Sequence, residues 1–219
     1  KHMFLIQSGK TQKLSVSGNY ITDKDKRTLN ITKGWNYISY IPTANLQVSE
    51  ALSSYEAKEG DIIKSQNAFS MYGTNIGWVG SLTYMEPGKG YMMFSTNGGS
   101  LIYPDLTGNA TKTTTRANGA MNENVLKELS NETNMSMVAT VADNLPLQAG
   151  DKLLAYAGNE ICGVASLNEN PINGNPLYFI TVGVDSNASV SFGLERAGQI
   201  IGKTSPLFDY HSNAVRGTI

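Results

Sequence analysis

The apolar residues of this 219-residue chain come in short runs cut off by Gly, Asn, Asp or Pro, and that punctuation constrains the fold more than any other feature. In the second half the runs 136–141, 153–157, 161–167, 176–184, 188–195 and 199–201 recur at the spacing of about eight to twelve residues typical of a sandwich or jelly roll. Gly158-Asn159 sits between two of them as a two-residue hairpin signal. Asp185-Ser186-Asn187 predicts a second hairpin between 176–184 and 188–195. In the first half, 78–82 and 91–94 flank Glu86-Pro87-Gly88-Lys89-Gly90, where proline presets φ for a turn and glycine accepts positive φ, so the stretch reads as strand, turn, strand. Helix is confined to short pieces. Val48, Leu52 and Tyr55 share a helical spacing that predicts roughly two or three turns over 46–55, and Val125, Leu126 and Leu129 allow a turn or two over 122–129. The expected fold class is all-β, mainly β with one or two short helices, in two β-sandwich or barrel-like domains.

A chain of this length can bury two ordinary cores, and residues 105–133 are polar, small and without periodicity, as a linker is. The expected organisation is a β-rich module over 28–104, a linker over 105–133 and a β-sandwich or jelly-roll-like module over 134–219. The apolar pattern of 2–11 overlays that of 91–100, an offset of about ninety residues, which is module-sized. Residues 1–27 therefore read as the tail strands of a preceding repeat unit or as an N-terminal hairpin of the first domain. Residues 22–27 read as a charged loop. The run 35–41 is bulky at odd and even positions, which predicts a strand buried on both faces, ended by Pro42. Residues 62–66 and 68–72 answer one another across Asn67 as a strand pair.

Seventeen Lys and Arg against eighteen Asp and Glu leave a net charge of −1, so there is no electrostatic footprint for nucleic acid or an acidic membrane surface. No apolar run approaches the roughly 20 residues of a membrane span, and no signal peptide is visible. The sequence is either cytosolic or a piece of a longer exported chain, and its abundance of Gly, Asn, Ser, Thr and Tyr favours an extracellular β-protein. The single cysteine, Cys162, excludes an internal disulfide and a cysteine-based zinc site.

Candidate chemistry is sparse. Glu50, Glu56, Glu59 and Asp61 cluster in sequence, but glycosidase chemistry needs two carboxyls held across a cleft, and solvated helix and turn residues are the simpler reading. Cys162, flanked by Ile161, Gly163 and Val164, reads as a small core residue rather than a nucleophile. Asp23-Lys24-Asp25 and Asp185-Ser186-Asn187 place oxygen ligands in loops without the spacing of a dedicated calcium site. The glycines lack the helix opening and lysine-hydroxyl pair of a phosphate cradle. No catalytic residue, metal ligand or cofactor is expected. The aromatic residues Trp35, Tyr37, Tyr40, Tyr72, Trp78, Tyr84 and Tyr91 are the exception. Exposed flat rings stack on sugar rings, with polar neighbours fixing orientation, whereas rings that fill a small core do not. Trp78, between glycines, leads the candidate ligand-binding set, with Tyr84, Trp35 and Asn75.

The blocks Gly34-Trp35-Asn36-Tyr37, Gly60-Asp61-Ile62-Ile63-Lys64-Ser65-Gln66, Gly77-Trp78-Val79-Gly80-Ser81-Leu82 and Glu86-Pro87-Gly88-Lys89-Gly90-Tyr91, in that order, resemble a β-rich module repeated in large exported or surface-attached proteins of anaerobic Gram-negative bacteria. Asn134 to Val138, Gly150 to Ala165 and Tyr178 to Val182 are similar to a second module that accompanies it, often near the carboxyl end. The resemblance implies an extracellular, modular parent and no catalytic residues. The expected function is a non-enzymatic structural, adhesion or anchoring segment of a secreted or cell-surface bacterial multidomain protein. Its partners would be neighbouring modules of the same polypeptide, and a host or plant glycan or a surface protein, with no nucleic acid and no membrane span. The alternative is a carbohydrate-binding module pair appended to a secreted hydrolase.

Overall fold

The computed structural model describes residues 8–10, 13, 15, 21, 23–105, 134–141, 145–168, 171–184 and 188–219. The first unit runs through α1 (Lys24–Arg27), β1 (Leu29–Ile31), β2 (Gly34–Ser39), β3 (Leu46–Gln47), α2 (Val48–Ala51), β4 (Ile62–Lys64), β5 (Phe69–Gly73), β6 (Gly77–Gly80), β7 (Tyr84–Met85), β8 (Gly90–Ser95) and β9 (Gly99–Leu101). The second contains β10 (Met135–Ala139), β11 (Lys152–Ala157), β12 (Glu160–Ser166), β13 (Tyr178–Val182), β14 (Ser189–Arg196), β15 (Gln199–Lys203), β16 (Phe208–Asp209) and β17 (Val215–Arg216). The fold is all-β with two short helices. Among the described residues, no sheet draws strands from both sides of 105–133.

In the first unit, five antiparallel strands lie in the order β2-β8-β4-β5-β6, beside the small pairs β1–β9 and β3–β7. Ile38, Ile63, Tyr91 and Met93 turn one face of this sheet onto Val48, Leu52 and Met85 in a single apolar cluster. The helix expected over 46–55 is reduced to the one turn of α2, because Leu46 and Gln47 are tied into the ladder with Met85 and Tyr84. Val48, Leu52 and Tyr55 nonetheless share the buried side that their spacing demands. β4 and β5 form the expected pair, with Ile62 opposite Met71. The stretch 77–94 does turn at 86–89, where Lys89 N donates to the Glu86 carbonyl at 3.3 Å, but its strands β6 and β8 are not neighbours, since β4 and β5 lie between them. β2 is also not buried on both faces. Among the described residues it pairs with β8 alone, at the edge of the sheet, and it leaves Tyr37 57% exposed. The charged segment 24–27 is a helical turn whose last residue, Arg27, is buried in an ion pair with Asp105. The hairpin within 1–20 lies mostly outside the described residues, and the helical turn of 122–129 lies wholly outside them.

The second unit is a β-sandwich. One layer is β13-β10-β17, and the other is β12-β11-β14-β15 with β16 on β14. The β11–β12 hairpin turns at Gly158-Asn159, as expected. The hairpin expected at 185–187 does not form: β13 pairs with β10 and β14 with β11, so the chain crosses from one layer to the other. The reason lies in what β13 carries. Tyr178, Ile180 and Val182 point into the sandwich core with Met135 and Met137, while Phe179 points the opposite way with Val138. Strand alternation thus gives this layer two apolar faces, and both are covered.

The covering on the far side is the first unit. Ile62, Phe69 and Met71 pack with Val138, Ile172, Leu177 and Phe179 in one buried cluster, and the rings of Phe69 and Phe179 meet edge to face at 5.7 Å. The protein is therefore layered: the small strand pairs and α2, the five-stranded sheet, the β13-β10-β17 sheet, and the outer sheet of the sandwich. Each gap between layers is filled by one apolar cluster. Phe179→Ala, which empties the seam without touching the sandwich core, is expected to cost about 3–5 kcal/mol of global stability, read by urea unfolding followed in circular dichroism. A loss below about 1 kcal/mol would mean that the seam is a superficial contact.

Candidate functional site

Two of the buried carboxylates follow one local rule. Asp61 N donates to the Lys58 carbonyl at 3.0 Å and its Oδ2 accepts from Lys58 N at 2.9 Å. Asp151 N donates to the Gln148 carbonyl at 3.0 Å and its Oδ2 accepts from Gln148 N at 2.9 Å. In each turn the residue before the aspartate is a glycine at positive φ, +82° for Gly60 and +88° for Gly150, a conformation open to glycine without a Cβ clash. Each turn launches an inner strand, β4 or β11. Asp61 also accepts from Thr96 N at 2.7 Å, Thr96 Oγ1 at 2.9 Å and the Tyr55 hydroxyl at 3.0 Å. Asp151 accepts from Arg196 Nε at 2.8 Å and Nη2 at 2.7 Å, and this guanidinium holds its carboxyl below the usual carboxylate range. Both groups are occupied as acceptors, and neither faces a second carboxyl across a cleft.

Two more of the clustered carboxylates are engaged in structure, while Glu50 is exposed on α2. Glu59 accepts from Thr74 N and Glu56 pairs with Lys58. Cys162 is buried in the sandwich core, where desolvation pushes its thiol up to about 11 and keeps it protonated at neutral pH. Among the described residues no three His, Cys, Asp or Glu side chains gather as a metal site. Residues 185–187 lie outside the description.

Lys64 is, with Arg27, one of two buried cations among the described residues. It stands at the end of β4, inside the seam, and its ammonium donates to Asn134 Oδ1 at 2.9 Å, the Asn134 carbonyl at 3.3 Å and Asn213 Oδ1 at 3.1 Å. Three acceptors for three N–H donors satisfy an ammonium. The amide of Asn134 donates back to the Gln66 carbonyl at 2.6 Å, so one asparagine of the second unit clamps the β4–β5 turn of the first. The ammonium also lies 4.9 Å from the centre of the Trp35 ring, which meets Phe94 edge to face at 5.3 Å.

The seven aromatic candidates separate accordingly. Tyr40 and Tyr91 are core residues, Tyr37 is exposed on the edge strand, and Trp35 shields the seam around Lys64. Trp78 and Tyr84 come together with Asn75 in an open cleft of about 590 Å³, within the roughly 300–1,000 Å³ of small-molecule sites. Three of the four predicted ligand-binding residues thus share one cavity, and Trp35 is outside it. Trp78, on β6, is held by Tyr72, ring centres 5.5 Å apart at 67°. Behind it β5 and β6 close up at Gly80, where a Cβ would fall 2.2 Å from the Phe69 carbonyl oxygen. Asn75 sits at φ +69° in the β5–β6 turn. The cleft is also lined by Asn168, Ile172 and Asn173 of the second unit, which no sequence signal places there. Asn173-Gly174 signals a turn, and Ile172 and Asn175 do bond to each other across it at 2.9 and 3.0 Å, but a turn signal carries no address.

No protein-family model, curated protein or solved structure matches this chain. No helix among the described residues is long and apolar enough to cross a membrane.

Burial pushes the Lys64 ammonium down to about 8, below the ordinary lysine value near about 10.4. Between those two values the unfolded chain holds a proton that the folded protein has released, so this group makes stability rise with pH. The buried thiol of Cys162 acts with the opposite sign above its own ordinary value, so the comparison with Lys64→Met isolates the lysine. From pH 8 to 10 the stability of the wild type is expected to rise relative to Lys64→Met by on the order of 2 kcal/mol, measured by urea unfolding at each pH. A difference that stays flat with pH contradicts a desolvated ammonium at the seam.

Proposed function

We propose that this chain is a non-enzymatic adhesion segment of a secreted or cell-surface bacterial multidomain protein, and that it holds glycan in the cleft at the seam. The observation that carries the reading is the meeting of Trp78, Tyr84 and Asn75 in one open cavity. An aromatic ring offers a sugar its apolar face, and adjacent carboxamides bond its hydroxyls and set its orientation. The non-enzymatic part is supported by the occupation of the buried ionisable groups: Asp61 by backbone, tyrosine and threonine donors, Asp151 by Arg196, and Lys64 by two asparagines. The exported setting is supported by the module resemblance and the composition. The stiff connection of the two units through a buried seam suits a segment that transmits position between neighbouring modules.

Pull-down on insoluble polysaccharides and a glycan array test the reading. Retention that falls about tenfold or more on Trp78→Ala is expected. Because Trp78 also packs against the core, Asn75→Gly is the companion variant: it keeps the positive φ, removes the carboxamide and is expected to weaken binding with circular dichroism unchanged. Silence across the whole panel removes the glycan reading and leaves a spacer. Turnover of a glycoside, ester or peptide by the pure protein removes the non-enzymatic one.

A further inference from the structure

We infer that the cleft takes an uncharged saccharide and that both units must be docked to hold it; this rests on the glycan reading above and specifies its ligand. The first ground is the chemistry of the walls. Among the described residues, the side chains that line the cleft include the carboxamides of Gln47, Asn75, Asn168 and Asn173 and the hydroxyls of Ser49, Thr83 and Tyr84, with no Asp, Glu, Lys, Arg or His. A carboxamide donates and accepts at once, as a sugar hydroxyl does. A uronate, sialate or sulfate would instead lose water in the cleft without meeting a cation, and an anion desolvated without a partner binds poorly. The nearby cation at the seam, Lys64, does not line the cleft, and its three N–H donors are taken by Asn134 and Asn213.

The second ground is that the cavity belongs to neither unit alone. Trp78, Tyr84 and Asn75 lie before the 105–133 segment, and Asn168 and Asn173 after it. Asn75 and Asn173 both stand at positive φ, +69° and +52°, in short turns, one supplied by each unit. Ile172 of the second unit, which also lines the cleft, packs with Phe69 and Met71 of the first in the seam. A ligand that bonds both turns is therefore held only by the docked arrangement, and its binding free energy adds to the stability of the seam.

The test is calorimetric titration of the whole chain with neutral oligosaccharides and with uronate-, sialate- and sulfate-bearing counterparts of equal length, repeated on Asn173→Gly. This variant keeps the turn conformation and deletes a carboxamide supplied by the second unit. Neutral ligands are expected to bind, charged counterparts to bind about tenfold or more weakly, and Asn173→Gly to weaken the neutral ligand several-fold. Charged ligands that bind as well as neutral ones overturn the ligand class and leave the glycan reading standing. Neutral binding that Trp78→Ala abolishes and Asn173→Gly leaves unchanged overturns the two-unit requirement. No binding of either kind overturns the glycan reading itself, and this inference with it.

Discussion

A β-sheet has two faces, and the β13-β10-β17 layer is apolar on both. One face is satisfied by the other layer of its own sandwich. The second would lie open to water if the sandwich stood alone, with Phe179, Val138 and Leu177 uncovered, and patches of that kind are where chains associate. The five-stranded sheet of the first unit covers it, and is itself relieved of exposing Ile62, Phe69 and Met71. The two units thus complete one another, although no hydrogen-bonded ladder crosses between them among the described residues. The polar device inside the seam suits that arrangement. Removing a buried charge's partners is costly, so the Lys64, Asn134 and Asn213 cluster sets the register in which the apolar faces meet, where packing alone would tolerate sliding.

The location of the ionisable groups follows from the same architecture. Two inner strands, β4 and β11, begin at a glycine-aspartate turn, and the aspartate closes that turn with its own carboxylate. Such carboxylates stiffen strand entry points and are withheld from solvent and substrate alike. The polar side chains that line the cleft among the described residues are neutral amides and hydroxyls, beside the rings of Trp78 and Tyr84. That distribution supports the recognition surface proposed for the cleft.

The local features were legible in the sequence because they depend on neighbours in the chain. Gly158-Asn159 announced its hairpin, the β4–β5 pair answered across Asn67, and the spacing of Val48, Leu52 and Tyr55 identified a buried face. The errors arose where a distant partner decided. The run 35–41 looked doubly buried because its residues are bulky, yet β2 is an edge strand and Tyr37 is exposed. The segment around 185–187 looks like a hairpin because a turn signal separates two apolar runs, yet its flanking strands pair elsewhere, β13 beside β10 and β14 beside β11; the stretch 77–94 does run strand, turn, strand, but β6 lies beside β5 and β8 between β2 and β4. Trp78, Tyr84 and Asn75 could be singled out by residue type and flanking glycines. Asn168 and Asn173, about ninety residues further on, could not, because a seam between two sheets leaves no periodic mark in either strand.

The chain carries its own probes for the shared core. Its two tryptophans, Trp35 and Trp78, both lie in the first unit, and its one cysteine, Cys162, is buried in the second. Equilibrium urea unfolding followed by tryptophan fluorescence, in parallel with labelling of the Cys162 thiol, reads the two units separately in the unmodified protein. If the seam joins them as described, fluorescence and thiol exposure change together at one midpoint with one slope. Two separated midpoints, with the thiol opening while the tryptophans keep their folded emission or the reverse, would contradict it.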